Sequence, residues 1–151
     1  MTPAMIDINV LVDAYDRAEP DKQRRALAVL DELARSGEGW LSAQVLSEFF
    51  VSVTRKIETP LTLAQAYQRL ESFGQVWPVV PVTSQVVFEA IRGVREHALS
   101  FWDAQIWAAA RLHHVGTILT EDFNSGAVIE GVLFVDPFSE DFELARWEAG
   151  E

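Results

Sequence analysis

Five short apolar runs, at residues 4–8, 40–41, 77–81, 117–120 and 132–135, alternate with longer segments whose apolar residues recur at helical spacing. Strands that alternate with helices pair mainly in parallel, because each return to the same sheet edge needs a crossover, and the crossover helices cover both faces. The alternation therefore predicts an α/β sandwich around a mainly parallel sheet. At 151 residues one domain suffices. Hydrophobic residues make up 49% of the chain, with only 8 Gly and 6 Pro, which argues against long disordered stretches.

The connecting segments read as helices with recognisable starts. A short one begins near Asn9. Pro20 opens another that runs to about Arg35, with Leu27, Leu30 and Ala34 facing inward and Ser36-Gly37 ending it. Ser42 caps a helix to about Lys56 with a stripe of Leu46, Phe49, Phe50 and Val53, and Thr62 caps one through Phe73 with Leu63, Ala66, Tyr67 and Leu70 in register. Ser84 caps a helix bearing Val87, Ala90, Ile91 and Val94, and Pro at both margins shortens the strand at 77–81.

Residues 100–110 form the most apolar helix, carrying Phe101, Trp102, Ile106, Trp107 and four alanines, and a helix apolar nearly all round is buried. Ser100 caps it, and Asp103 three residues later fits a capping-box-like start. At about 100° per residue Asp103 shares a face with Ile106, Trp107 and Ala110, which aims its carboxylate into or beside the core. A cap near the helix dipole accounts for such an acid as well as a functional site does.

Asp7 and Asp122 each follow an apolar strand. In an open parallel sheet the carboxyl ends of the strands are where ligands bind, although Asp before a helix is also an ordinary cap. Glu48 lies roughly opposite the buried stripe of its helix and by itself reads as a surface residue. Asp7, Asp103 and Asp122 can meet at one sheet edge. Two carboxylates about 5 Å apart repel by roughly 3 kcal/mol at an effective dielectric near 20, and divalent cations relieve that repulsion. Oxygen ligands without Cys, and without a spaced His pair, suit Mg²⁺ or Mn²⁺.

Composition limits the partners. The chain has 23 acidic and 12 basic residues, a formal net charge of −11, which disfavours nonspecific nucleic-acid binding unless bound metal reverses the local field. Cys is absent, in keeping with a reducing cytosol, and no apolar run is long enough to span a membrane, so a cytoplasmic location with no membrane partner is expected.

Four blocks in order carry a family resemblance: Ile6-Asp7-Ile8-Asn9-Val10-Leu11-Val12, Ser42-Ala43-Gln44-Val45-Leu46-Ser47-Glu48-Phe49-Phe50, Leu99-Ser100-Phe101-Trp102-Asp103-Ala104, and Leu119-Thr120-Glu121-Asp122-Phe123-Asn124-Ser125-Gly126. Together they resemble the motif regions of PIN-domain ribonucleases, most closely toxins of the VapC type, over residues 4 to about 138. The resemblance implies a PIN-like three-layer α/β/α sandwich with about five strands, which agrees with the strand count. It places the nuclease domain at 1–138, with an acidic C-terminal extension of the same domain at 139–151. It further implies that Asp7, Glu48, Asp103 and Asp122 form an acidic quartet binding Mg²⁺ or Mn²⁺. Asn9 and Thr120 would support that quartet, and Asn124 would shape the last motif. Metal-dependent hydrolysis of RNA would leave a 5′-phosphate and a 3′-hydroxyl. A homodimer and a cognate antitoxin are implied as partners. Ile8 and Asp13 depart from the common pattern, Asp13 adding an acid near the site.

Arg17, Arg24, Arg25, Arg55 and Lys56 are candidates for gripping RNA, although each reads first as a solvated helix-surface charge. Trp40, Trp77, Trp102 and Trp107 read as core or interface, and His113 and His114 as residues near a helix end. Phe142, Leu144 and Trp147 are spaced to pack on the domain or meet a partner. A phosphotransfer domain also places acids at strand ends but needs a late Lys, whereas the lysines here are Lys22 and Lys56. A non-catalytic binding module with the same fold is the other alternative.

Overall fold

A computed structural model describes residues 2–148. The elements in chain order are β1 (Ala4–Ile6), α1 (Ile8–Asp13), α2 (Pro20–Ser36), β2 (Gly39–Ser42), α3 (Ala43–Arg55), α4 (Leu63–Val76), β3 (Val79–Val80), α5 (Ser84–His97), α6 (Phe101–Leu112), β4 (Thr117–Leu119), β5 (Val128–Ile129), β6 (Val132–Val135) and α7 (Leu144–Glu148). The sheet order is β3-β2-β1-β4-β6-β5. All neighbours are parallel except β5, which runs antiparallel to β6. The chain steps outward from β1 through β2 to β3, then returns to the other side of β1 with β4. The order reverses between β1 and β4, so the carboxyl ends of these two strands flank the switch-point crevice where such sheets bind ligands.

The sixth strand is the addition to the expected five. Ile129 pairs with Val132 across a two-residue loop. Glu130 and Gly131 have φ of 48° and 82°, the left-handed pair that joins twisted antiparallel strands. At two residues, β5 is too short to leave a periodic signal.

Three expected inward faces hold in part, with Leu30, Ala66 and Ala90 buried, and are otherwise rotated. On α2 the buried residues are Ala26, Val29, Leu30 and Leu33, while Leu27 and Ala34 are exposed. On α4 they are Ala66 and Phe73, with Leu63 and Tyr67 exposed, and on α5 they are Val86, Ala90 and Gly93, with Ile91 and Val94 exposed. Both choices satisfy a spacing of three or four, so the pattern alone did not fix the face; on α5 the buried stripe includes a glycine, invisible to a search for apolar side chains. Gly93 is there because of contact: a Cβ on it would lie 2.8 Å from the Trp107 ring, so its lack of a side chain lets α5 pack directly on α6. Trp107 is fully buried and donates its indole N–H to Ile129 O at 3.1 Å.

α1 starts at Ile8, one residue before Asn9, and Asp7 caps it, its Oδ1 accepting from Ile8 N at 2.7 Å. Thr83 caps α5 in place of Ser84. Ser42 and Thr62 cap α3 and α4 as expected, the latter in a reciprocal capping box with Gln65. Ser100 accepts from the Asp103 amide at 3.2 Å, with no return bond from the Asp103 side chain among the described residues.

The C-terminal segment packs on the domain. Phe142, Leu144 and Trp147 lie against the core. Arg25 Nη1 donates to Pro137 O at 2.9 Å and to Phe142 O at 3.4 Å, tying α2 to that segment. Residues 149–151 of the expected extension lie outside the described residues.

Candidate active site

Ile6 is in register with Leu119, so the residues that follow, Asp7 and Thr120, leave the sheet side by side. The Asp7 amide donates to Leu119 O at 3.0 Å, which fixes this exit. Asp7 is only 7% exposed. Its Oδ1 caps α1 and its Oδ2 accepts the Thr120 hydroxyl at 2.8 Å. Thr120 Oγ1 in turn accepts the Asp122 amide at 3.2 Å. Asn9 Nδ2 donates to Asp122 Oδ2 at 2.9 Å and reaches Thr120 Oγ1 at 3.4 Å, while Asn9 Oδ1 accepts the Glu121 amide at 3.4 Å. One hydrogen-bonded network thus joins the first and last motif blocks.

Burial raises the Asp7 carboxyl to about 6; the bonds from Thr120 and Ile8 oppose this, and the charges of Glu48 and Asp122 add to it. Glu48 is half-buried on α3 and so is not the plain surface residue its helix position suggests. Its Oε1 accepts from Gln44 Nε2 at 2.6 Å, and Gln44 Oε1 accepts from Gln105 Nε2 at 2.7 Å. This relay ties α3 to α6, where Asp103 sits half-buried in the first turn. The Asp103 carboxylate has no hydrogen-bond or ion-pair partner among the described residues, and its amide completes the Ser100 cap. Asn124 is exposed, its backbone carbonyl accepting from Ala127 N at 3.1 Å.

None of the ion pairs among the described residues involves Asp7, Glu48, Asp103 or Asp122. Asp7 is buried under the charges of Glu48 and Asp122, and none of the three is paired with a cation among the described residues, which makes a donor set suited to a hard divalent ion. The fit is chemical rather than a closed cage. Among the described residues, the one group of three ligands whose donor atoms all lie within 4.8 Å of one another is Glu96, His97 and Glu130. That cluster already holds cations of the chain. Arg92 pairs with Glu89, Glu96 and Glu130, and Arg111 pairs with Glu89 and Glu130. The bonds from Arg92 and then His97 hold Glu130 down at about 2.

Sequence reasoning missed Gln44 and Gln105, because amides carry no charge signal, and the pairing of Lys22 with Glu121. Lys22 Nζ lies 2.9 Å from Glu121 Oε2, one residue before Asp122. Asp13, the extra acid, is raised to about 6 by burial and then by the Glu121 charge, and its Oδ2 is buried without a partner. Of the candidate RNA contacts, Arg17, Arg55 and Lys56 are exposed, Arg24 pairs with Asp21, and Arg25 is committed to the C-terminal segment.

The sequence matches the PIN domain family over residues 4–127. This chain is a PIN-domain protein. The PIN domain accounts for the mostly parallel α/β sandwich and for the position of all four acidic motif blocks inside the matched span. No curated protein sequence matches the chain significantly. Among solved structures the PIN fold here is similar to a toxin-antitoxin complex from Klebsiella pneumoniae, at 20% identity, covering 89% of this chain and 98% of that one with a TM-score of 0.65. It is also similar to the DNA-bound VapBC of Salmonella typhimurium, at 15% identity, 91% and 99% coverage and a TM-score of 0.65. A third neighbour is VapC20 of Mycobacterium tuberculosis, described as a toxin cleaving the sarcin-ricin loop, at 18% identity, 84% and 97% coverage and a TM-score of 0.58.

Proposed function

We propose that this PIN-domain protein is a divalent-metal-dependent endoribonuclease and the toxin of a toxin-antitoxin pair. The observation that carries the reading is Asp7: a buried carboxylate at the switch point of the sheet, under the charges of Glu48 and Asp122, with no cation of the chain beside it. Asp7, Glu48, Asp103 and Asp122 would hold Mg²⁺ or Mn²⁺. Such an ion supplies charge neutralisation at the scissile phosphate and activation of the attacking water. The chain's own part is positioning. Thr120 and the α1 amide fix both Asp7 oxygens, Asn9 fixes Asp122, and Gln44 fixes Glu48. Hydrolysis would leave a 5′-phosphate and a 3′-hydroxyl, with no covalent intermediate on the protein.

The toxin role and the antitoxin partner are supported by structural neighbours whose names describe toxin-antitoxin complexes. A homodimer is supported by apolar side chains standing in solvent on α5, where Phe88 is 70% exposed beside Ile91 and Val94. The test is mapping of cut sites on total RNA in Mg²⁺ or Mn²⁺. Wild type should cut at discrete sites, and Asp7→Asn or added EDTA should abolish the cuts. Cleavage that survives both would defeat the reading.

A further inference from the structure

A cleft of about 620 Å³ opens between α3 and α6, and Glu48 is part of its wall. Trp102, Gln105, Gln44 and Val82 form the rest of the surface that matters. Trp102 is 63% exposed although the helix behind it, from Ala104 to Ala110, is buried throughout. Phe101 meets its ring edge-on with centroids 5.1 Å apart, which steadies the indole. Gln105 is only 6% exposed, yet it borders the cleft.

The hydrogen-bond relay sets the chemistry of that wall. A carboxylate only accepts, so Gln44 must turn its NH₂ to Glu48 and its carbonyl to Gln105. Gln105 must then spend its NH₂ on Gln44, which leaves Gln105 Oε1 with no donor among the described residues. The cleft therefore offers an exposed aromatic face, a fixed acceptor and no Lys or Arg in its wall. A phosphate finds no cation to hold it there and meets the Glu48 carboxylate instead. A planar heteroaromatic group with N–H donors on its edge finds both a stacking surface and a partner.

We propose that this cleft seats one nucleobase of the RNA strand whose scissile phosphate lies at Asp7, stacked on Trp102 and bonded at its edge by Gln105. The proposal rests on the nuclease reading above. Glu48 belongs to both places, so one strand spans them: its phosphate at the acids and an adjacent base in the cleft. The site thereby acquires a preference for a base next to the cut.

The experiment is steady-state cleavage, in Mn²⁺, of a short single-stranded RNA carrying a mapped cut site, compared with oligonucleotides made abasic at one flanking position at a time. For wild type, one abasic position should lower kcat/KM by about 5- to 100-fold, the range of one lost base stack. Trp102→Ala should show a similar loss on the intact strand and become indifferent to that abasic position, Trp102→Phe should retain most of the activity, and Gln105→Ala should change which base is preferred there. If Trp102→Ala matches wild type, or if every abasic strand is cut as well as the intact one, the proposal is overturned. Light scattering on the same variants covers the competing occupant: if Trp102→Ala breaks up an oligomer while sensitivity to the abasic position persists, the indole serves a protein contact and the proposal is wrong. A wild type that cuts no RNA at all would instead remove the nuclease reading on which this one stands.

Discussion

The hydroxyl of Thr120 donates to Asp7 Oδ2 across 2.8 Å and accepts the Asp122 amide at 3.2 Å, so one side chain sets the position of two acids from opposite ends of the sequence. Thr120→Val keeps the shape and removes both bonds. It should lower Mn²⁺ affinity or cleavage by about 10- to 100-fold, as loss of a ligand-orienting partner does elsewhere, while Thr120→Ser should stay near wild type. Calorimetric titration with Mn²⁺ is the measurement, and equal affinities for Val and Thr would refute the role.

Asp7 makes stability run against the usual acid dependence. Its folded carboxyl sits at about 6 against 3.8 for the free group, so the folded state binds the proton more tightly. The penalty is complete above about pH 6 and relaxes as pH falls toward 4. Asp7→Asn should therefore be more stable than wild type by up to about 3 kcal/mol at pH 7.5, and the gap should narrow by pH 4.5. Urea denaturation at the two pH values reads this directly; a gap of constant size would contradict it.

An ion held by the proposed quartet would remove the same penalty. Mn²⁺ at a hundred times its dissociation constant should raise wild-type stability by about 2.7 kcal/mol, and EDTA should reverse it. Asp7→Asn should not respond. A thermal shift of equal size in the variant would place the ion elsewhere.

The contact of Gly93 with Trp107 allows a prediction free of the catalytic reading. A Cβ at Gly93 would lie 2.8 Å from a fully buried ring, which cannot yield far. Gly93→Ala should cost about 1 to 3 kcal/mol, measured by urea unfolding, although alanine is the better helix former. A stabilised variant would mean that α5 and α6 stand further apart.

Lys22 is bonded by Glu121, and Asp13 and then Glu19 lie close enough for their charges to act on it. Lys22→Met should destabilise by about 1 kcal/mol, and adding Asp13→Asn should recover most of that loss. A double-mutant cycle with no coupling would separate the two positions.

What the chain order made legible was the layer arrangement and the strand-end acids. Alternation of apolar runs with helical segments dictates a parallel sheet, and the switch point then follows from which strands bear Asp7 and Thr120. Glu48 was recoverable only through family likeness, because its place on α3 is polar by pattern and it joins the wall of a cleft only when α3 meets α6. The inward faces of α2, α4 and α5 were legible only in part, at Leu30, Ala66 and Ala90, for a related reason. Leu27, Tyr67 and Ile91 are as apolar as the residues that are buried, and tertiary contact alone selects the stripe. Gln44 and Gln105 had no signal at all before the fold brought them within 2.7 Å of each other.

Asp7 and Thr120 stand 113 positions apart, and their contact needs β1 and β4 to be neighbours already. A chain still emerging from the ribosome, or one cleaved before residue 117, holds Asp7 without its orienting hydroxyl and without Asp122. Such fragments lack the joined carboxylates whatever their remaining structure, and the acidic network is complete only when synthesis has passed through the fourth strand and Asp122.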